Sequence, residues 1–163
     1  MSGKRKTVGI FVVASVVVTI IIWSLSRFFA PRVSDTADVD TSVFELINEE
    51  RASWGLPALL NDDALASIAL EWSEHLAEIG DLTHGDFDER IASIGYSWYH
   101  CGEIIAMYNG LTTSLGRQFV DMWLDSPGHN QIMMTPKSGY MGVGISKSAQ
   151  GFFAVVDFRF TES

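Results

Sequence analysis

The chain has 163 residues, 47% of them hydrophobic and 12% aromatic, with a formal net charge of −9. All 20 acidic residues lie beyond residue 30, where seven Lys and Arg oppose them, so that stretch carries a formal −13. A field of that sign repels phosphate backbones and excludes nucleic acid as a natural partner, and a single cysteine, Cys101, excludes an intrachain disulfide.

Residues 1–29 read as a cytoplasmic basic cluster followed by a membrane anchor. Lys4, Arg5 and Lys6 precede an uncharged run of 19 residues, Thr7 to Leu25. As a helix that run spans about 28 Å, close to the thickness of a bilayer core. Trp23 stands near its outer end, where an indole favours the interface. The basic cluster keeps the N-terminus in the cytoplasm and sends the C-terminal domain outside, as a single-pass protein of the cell membrane. Secretion after signal cleavage is the alternative. For that, "SRFFAPR" offers only Ala30, with the bulky Phe28 before it. Residues 30–40 are polar and aperiodic, a tether reaching on the order of 15–20 Å.

Beyond the tether the pattern turns helical. Asp40, Thr41 and Ser42 are candidate N-caps for a helix with Val43, Phe44, Leu46, Ile47 and Trp54 on its apolar stripe. Gly55 and Pro57 end it. A second amphipathic helix follows, capped by Asn61 or Asp62, burying Leu65, Ile68, Ala69, Trp72, Leu76 and Ile79, and stopped by Gly80. Asp86 and Glu89 have the spacing of a capping box for a short helix ending at Gly95. Another helix runs from Thr112 or Thr113 to Asp125, with Phe119, Val120 and Trp123 inward. The runs "GYMGVGISK" and "FFAVVDFRF", joined by "SAQG", predict a hairpin. Helices first and strands last predict an α+β domain with an antiparallel sheet.

Three polar residues call for a chemical explanation. His84 lies between two helices in "LTHGD", Glu103 heads the apolar run of "HCGEIIA", and His129 stands in "SPGHN". Two imidazoles and a carboxylate suit either a divalent metal with an open position or an acid/base set. Ser126 and Pro127 read as N-cap and first residue of a short helix, which puts His129 at its third position. A helix N-terminus disfavours positive charge there and keeps the imidazole neutral, as a ligand or base requires. His129 as a mere packing residue at a helix start is the competing reading. Ser126 is better explained as a cap than as a nucleophile, Cys101 as a small buried hydrophobe, and His75 as a solvated surface residue.

Taken in order, "LINEERASWGLPAL", "LTHGDFDERIASIGY", "CGEIIA", "FVDMWLDSPGHNQIM" and "GYMGVGI…FFAVVDF" resemble the CAP superfamily. This is the domain of cysteine-rich secretory, antigen 5 and pathogenesis-related 1 proteins, here in its bacterial and archaeal SCP-like branch. The resemblance covers residues 41–160 and leaves 161–163 as a tail. It implies a three-layer α-β-α sandwich with a central antiparallel sheet and a cleft holding His84, Glu103 and His129. It further implies a divalent metal such as zinc on His84 and His129. Two positions depart from the pattern. Ser126 stands where many relatives place a cleft Glu, with Asp121 and Asp125 as possible substitutes, and Ile104 replaces the Asn of "GEN". The expected function is an outer-surface CAP domain binding a metal and a lipid, small-molecule or envelope-protein ligand. A metal-assisted hydrolase of an envelope substrate, with Glu103 as general base, and a structural envelope protein with a degenerate cleft are the alternatives.

Overall fold

The computed structural model describes residues 36–161; the expected anchor at Thr7–Leu25 and most of the tether lie outside them. No helix among the described residues is long and apolar enough to cross a membrane. The elements run α1 (Thr36–Ser53), β1 (Leu60–Asn61), α2 (Asp63–Ile79), α3 (Phe87–Ser93), a 3₁₀ turn (Trp98–His100), β2 (Cys101–Tyr108), α4 (Leu115–Asp125), α5 (Pro127–Met133), β3 (Ser138–Ser148) and β4 (Gly151–Phe160). The sheet order is β1-β3-β4-β2. β4 pairs antiparallel with both β2 and β3, while the two-residue β1 runs parallel to β3. The fold is therefore α+β, but its sheet is mixed and not wholly antiparallel. The correction comes from chain direction, since the chain passes through α2, α3, β2, α4 and α5 before β3 places Tyr140 and Met141 alongside Leu60 and Asn61.

Alternation along the strands supplies two apolar faces. On one, Ile104, Val156, Phe158, Met141 and Ile145 pack against Val43 and Ile47 of α1 and Phe119 and Trp123 of α4. On the other, Ile105, Phe153 and Val155 pack against Ala69, Leu76 and Ala77 of α2. Helices thus cover both faces. The "GVG" run explains how α2 comes so close. Val143 faces α1 and α4, whereas Gly142 and Gly144 face α2, where a Cβ on either would overlap the helix backbone at Ala66 or Leu70.

Helix ends show where local rules won and lost. Asp62 caps α2 by accepting from the amides of Ala64 and Leu65 at 3.1 and 3.2 Å, and Gly80 closes it in the left-handed conformation (φ 69°). α1, however, begins by Thr36, so Asp40, Thr41 and Ser42 lie inside it and are not its caps. Trp54 is 73% exposed in the turn beyond α1, and Ile79, the last residue of α2, is 45% exposed, so neither joins the buried stripe expected of it. Asp86 starts α3 without a side-chain cap bond, so no capping box forms. α4 begins at Leu115, with Ser114 before it.

The stripe of α1 continues from Val39, Val43 and Ile47 to Arg51, four residues apart each time, and all four are buried. The Arg51 guanidinium donates to the carbonyls of Met133 (2.8 Å), Thr135 (3.0 Å) and Pro57 (3.1 Å). It thereby satisfies carbonyls at the end of α5 and anchors that helix to α1.

Candidate functional site

His84 sits in the loop between α2 and α3, and three contacts hold that loop. Trp72 of α2 donates its indole N–H to the Thr83 carbonyl at 3.0 Å. The Gly85 amide donates to the Thr83 hydroxyl at 3.1 Å. Arg90 of α3 donates to the His84 carbonyl at 2.9 Å while its guanidinium lies over the Trp72 ring, 4.2 Å from the centroid. Gly85 has φ 47°, and a Cβ there would run into the Trp72 ring, so the "HG" pair suits this position both in conformation and in space.

Glu103, on β2, meets this loop from the sheet. Its Oε1 lies 2.7 Å from His84 Nδ1, and its Oε2 accepts from Arg90 Nη2 at 2.8 Å. The Glu103 side chain is almost fully buried, whereas that of His84 is 54% exposed. The hydrogen bond to Glu103 raises the His84 pKa above 6.5, against a smaller opposing effect of burial. With Nδ1 turned to the carboxylate, Nε2 is left facing outward.

His129 is at the third position of α5, as its spacing from Pro127 predicted, and is half-buried. Burial lowers its pKa, and the charge of His84 lowers it further, so the two imidazoles share one electrostatic environment. His84 of the α2–α3 loop and Glu103 of β2 are therefore in direct contact, and His129 of α5 feels the charge of His84. Ser126 marks the junction of α4 and α5: its carbonyl accepts from the Asn130 amide at 2.8 Å, but its side chain makes no cap bond. Asp121 is exposed and pairs with Arg117 at 3.7 Å, and Asp125 is exposed at the end of α4. Among the described residues, no three His, Cys, Asp or Glu side chains form a metal cage.

Two members of the network escaped the sequence reading. Arg90 was one; nothing in "FDERIAS" distinguishes it from a solvated charge. Asp157 was the other, and it had a signal: it is a carboxylate inside the apolar run of β4. It lies directly across from Glu103 in the ladder and is fully buried, with neither oxygen hydrogen-bonded among the described residues. Burial first, and the Glu103 charge second, push its pKa well above the usual carboxylate range. Asp157 is thus a carboxyl whose charged form is disfavoured, directly beside the Glu103–Arg90 pair. Cys101 is buried as expected; burial raises its thiol pKa to about 11, which suits packing and not nucleophilic attack.

The family description "CAP: Cysteine-rich secretory protein family" matches residues 44–158. Among curated proteins of Bacillus subtilis, the chain is similar to YkwD (29% identity over 120 residues, 71% of this chain and 45% of that protein). It is also similar to the membrane protein YlbC of the same organism (27% over 113 residues, 66% and 32%). The chain therefore spans less than half the length of these curated relatives. Among solved structures, an outer surface protein from Borrelia burgdorferi superposes with a TM-score of 0.68 at 26% identity, covering 79% of this chain and 97% of that one. On the extent of the family match and the order of its elements, the chain belongs to the CAP family.

Proposed function

We propose that this protein is a cell-envelope CAP domain whose cleft holds a divalent cation, zinc foremost, between His84 and His129, and which binds a ligand or partner there. The observation that carries this reading is the 2.7 Å contact between Glu103 and His84 Nδ1. A carboxylate behind one ring nitrogen fixes the tautomer and leaves the other nitrogen as a ligand, the usual support for a metal-binding histidine. His129 at a helix start, held neutral by burial, suits the second ligand. Two protein ligands leave the other positions open to water or to an oxygen of a lipid, small molecule or envelope protein. A cation there would act as a Lewis acid toward that oxygen. The anchor expected at Thr7–Leu25, with the similarity to a membrane protein and an outer surface protein, supports an envelope location with the domain outside.

The hydrolase alternative asks Glu103 to act as a general base. Both of its oxygens are already engaged, by His84 and Arg90, and its side chain is buried. That favours a holding role over proton abstraction, and so binding over turnover. Zinc titration of the full chain in detergent micelles tests the reading. His84→Ala and His129→Ala are each expected to weaken zinc binding by about tenfold or more. Unchanged affinity in both variants would overturn it and leave a structural protein. Peptide or ester hydrolysis that disappears in Glu103→Gln would instead favour the enzyme.

A further inference from the structure

Arg159, near the end of β4, is held in a manner that the His84–His129 reading does not require. Its guanidinium lies over two aromatic rings, 4.0 Å from the centroid of Tyr140 and 4.7 Å from that of Tyr96. Its Nη2 is 3.3 Å from Asp62 Oδ2, while its buried Nε has no hydrogen-bond partner among the described residues. Asp62 is already shared: one oxygen caps α2 and the other also accepts from the Tyr96 hydroxyl at 2.9 Å. Arg159 thus keeps hydrogen-bonding capacity that Asp62 does not take up. Arg51 is engaged by buried carbonyls and Arg117 by Glu50, while Arg90 binds Glu103 and also leaves two buried N–H groups without a partner among the described residues.

Beside this group is a cavity of about 440 Å³, lined by Arg159, Tyr96, Tyr140, Ser97 and Phe160 among others. That size suits a small organic ligand. Its walls combine a rotationally fixed guanidinium fork with aromatic faces, which matches an anionic group carried on a flat apolar body. We infer that this cavity at the open end of the sheet is a second binding site, for a small carboxylate- or phosphate-bearing ligand with an aromatic or similarly flat body. It adjoins the cleft, since Cys101 and Arg159 pair two residues along the ladder from Glu103 and Asp157, but its chemistry does not depend on a metal there.

Titration of the full chain in detergent micelles with benzoate, phenyl phosphate and neutral benzamide, followed by calorimetry in the presence of a chelator, tests this inference. Saturable one-to-one binding of benzoate or phenyl phosphate is expected, with benzamide at least tenfold weaker. Whichever anion binds more tightly identifies the carboxylate or the phosphate as the natural group. Arg159→Lys keeps a charge opposite Asp62 but loses the fork, and Ser97→Phe fills the cavity from an exposed turn without touching the ion pair. Each is expected to weaken the anion at least tenfold, while His129→Ala leaves it unchanged. Three results would overturn the inference: no saturable binding to the folded wild-type chain, equal binding in a folded Ser97→Phe variant, or loss of binding in His129→Ala.

Discussion

Glu103 shows how little of a residue's role lies in its identity alone. A carboxylate at the head of an apolar strand is costly unless its charge is answered, and here His84 and Arg90 answer it on separate oxygens. Removing that charge while keeping the shape, in Glu103→Gln, is expected to weaken zinc binding by about tenfold, read by calorimetry; an unchanged affinity would show that His84 needs no carboxylate support. Asp40 offers a separate test, away from the cleft. Burial raises its pKa from 3.8 to about 7, against a backbone hydrogen bond from Ile145 that lowers it. The folded state therefore keeps this proton over a range where the unfolded state releases it. The stabilising contribution is complete below 3.8 and is lost as the pH rises through about 7. Asp40→Asn should raise the melting temperature at pH 8, by roughly 4 °C for each kcal/mol gained. At pH 5 it should change little, and a shift of equal size at both pH values would contradict this account.

At the scale of elements, the fold rests on close approach and on one buried arginine. Gly144 lets the α2 backbone lie against β3, so Gly144→Ala forces the helix outward and is expected to cost about 1–3 kcal/mol in denaturant unfolding. Arg51→Met should cost about 2–4 kcal/mol, because it leaves the carbonyls of Met133 and Thr135 at the end of α5, and that of Pro57, without this donor. It should also loosen the helix that carries His129. Much of this level was legible in the sequence. The α2 cap and stop, the hairpin of β3 and β4, and Pro127 at the start of α5 follow from local chemistry that tertiary packing did not disturb. The start of α1 was not legible, since three good capping residues in a row marked a helix that begins by Thr36. Nor was β1, whose two residues become a strand only because Tyr140 and Met141 lie beside them.

Across the whole domain, the site is assembled from parts that neighbour each other only in the fold. His84 and Glu103 are 19 residues apart and become partners because α2 and α3 carry the loop back over β2. His84, Glu103 and His129 stood out in the sequence because each is a polar residue that its local element does not explain, and the fold puts His84 and Glu103 in contact. Arg90 and Asp157 were harder, because an arginine on a short helix and an acid among phenylalanines acquire meaning only from the partners across the ladder and the loop. The central claim is that two imidazoles, His84 of the α2–α3 loop and His129 of α5, hold a cation with Glu103 behind one of them. Anomalous diffraction at the zinc edge from zinc-soaked crystals tests that claim most directly. The account predicts one peak about 2.0–2.1 Å from His84 Nε2 and from a ring nitrogen of His129, with Glu103 still on His84 Nδ1. A cleft without a peak, or a peak bound through Glu103 in place of either histidine, would contradict it.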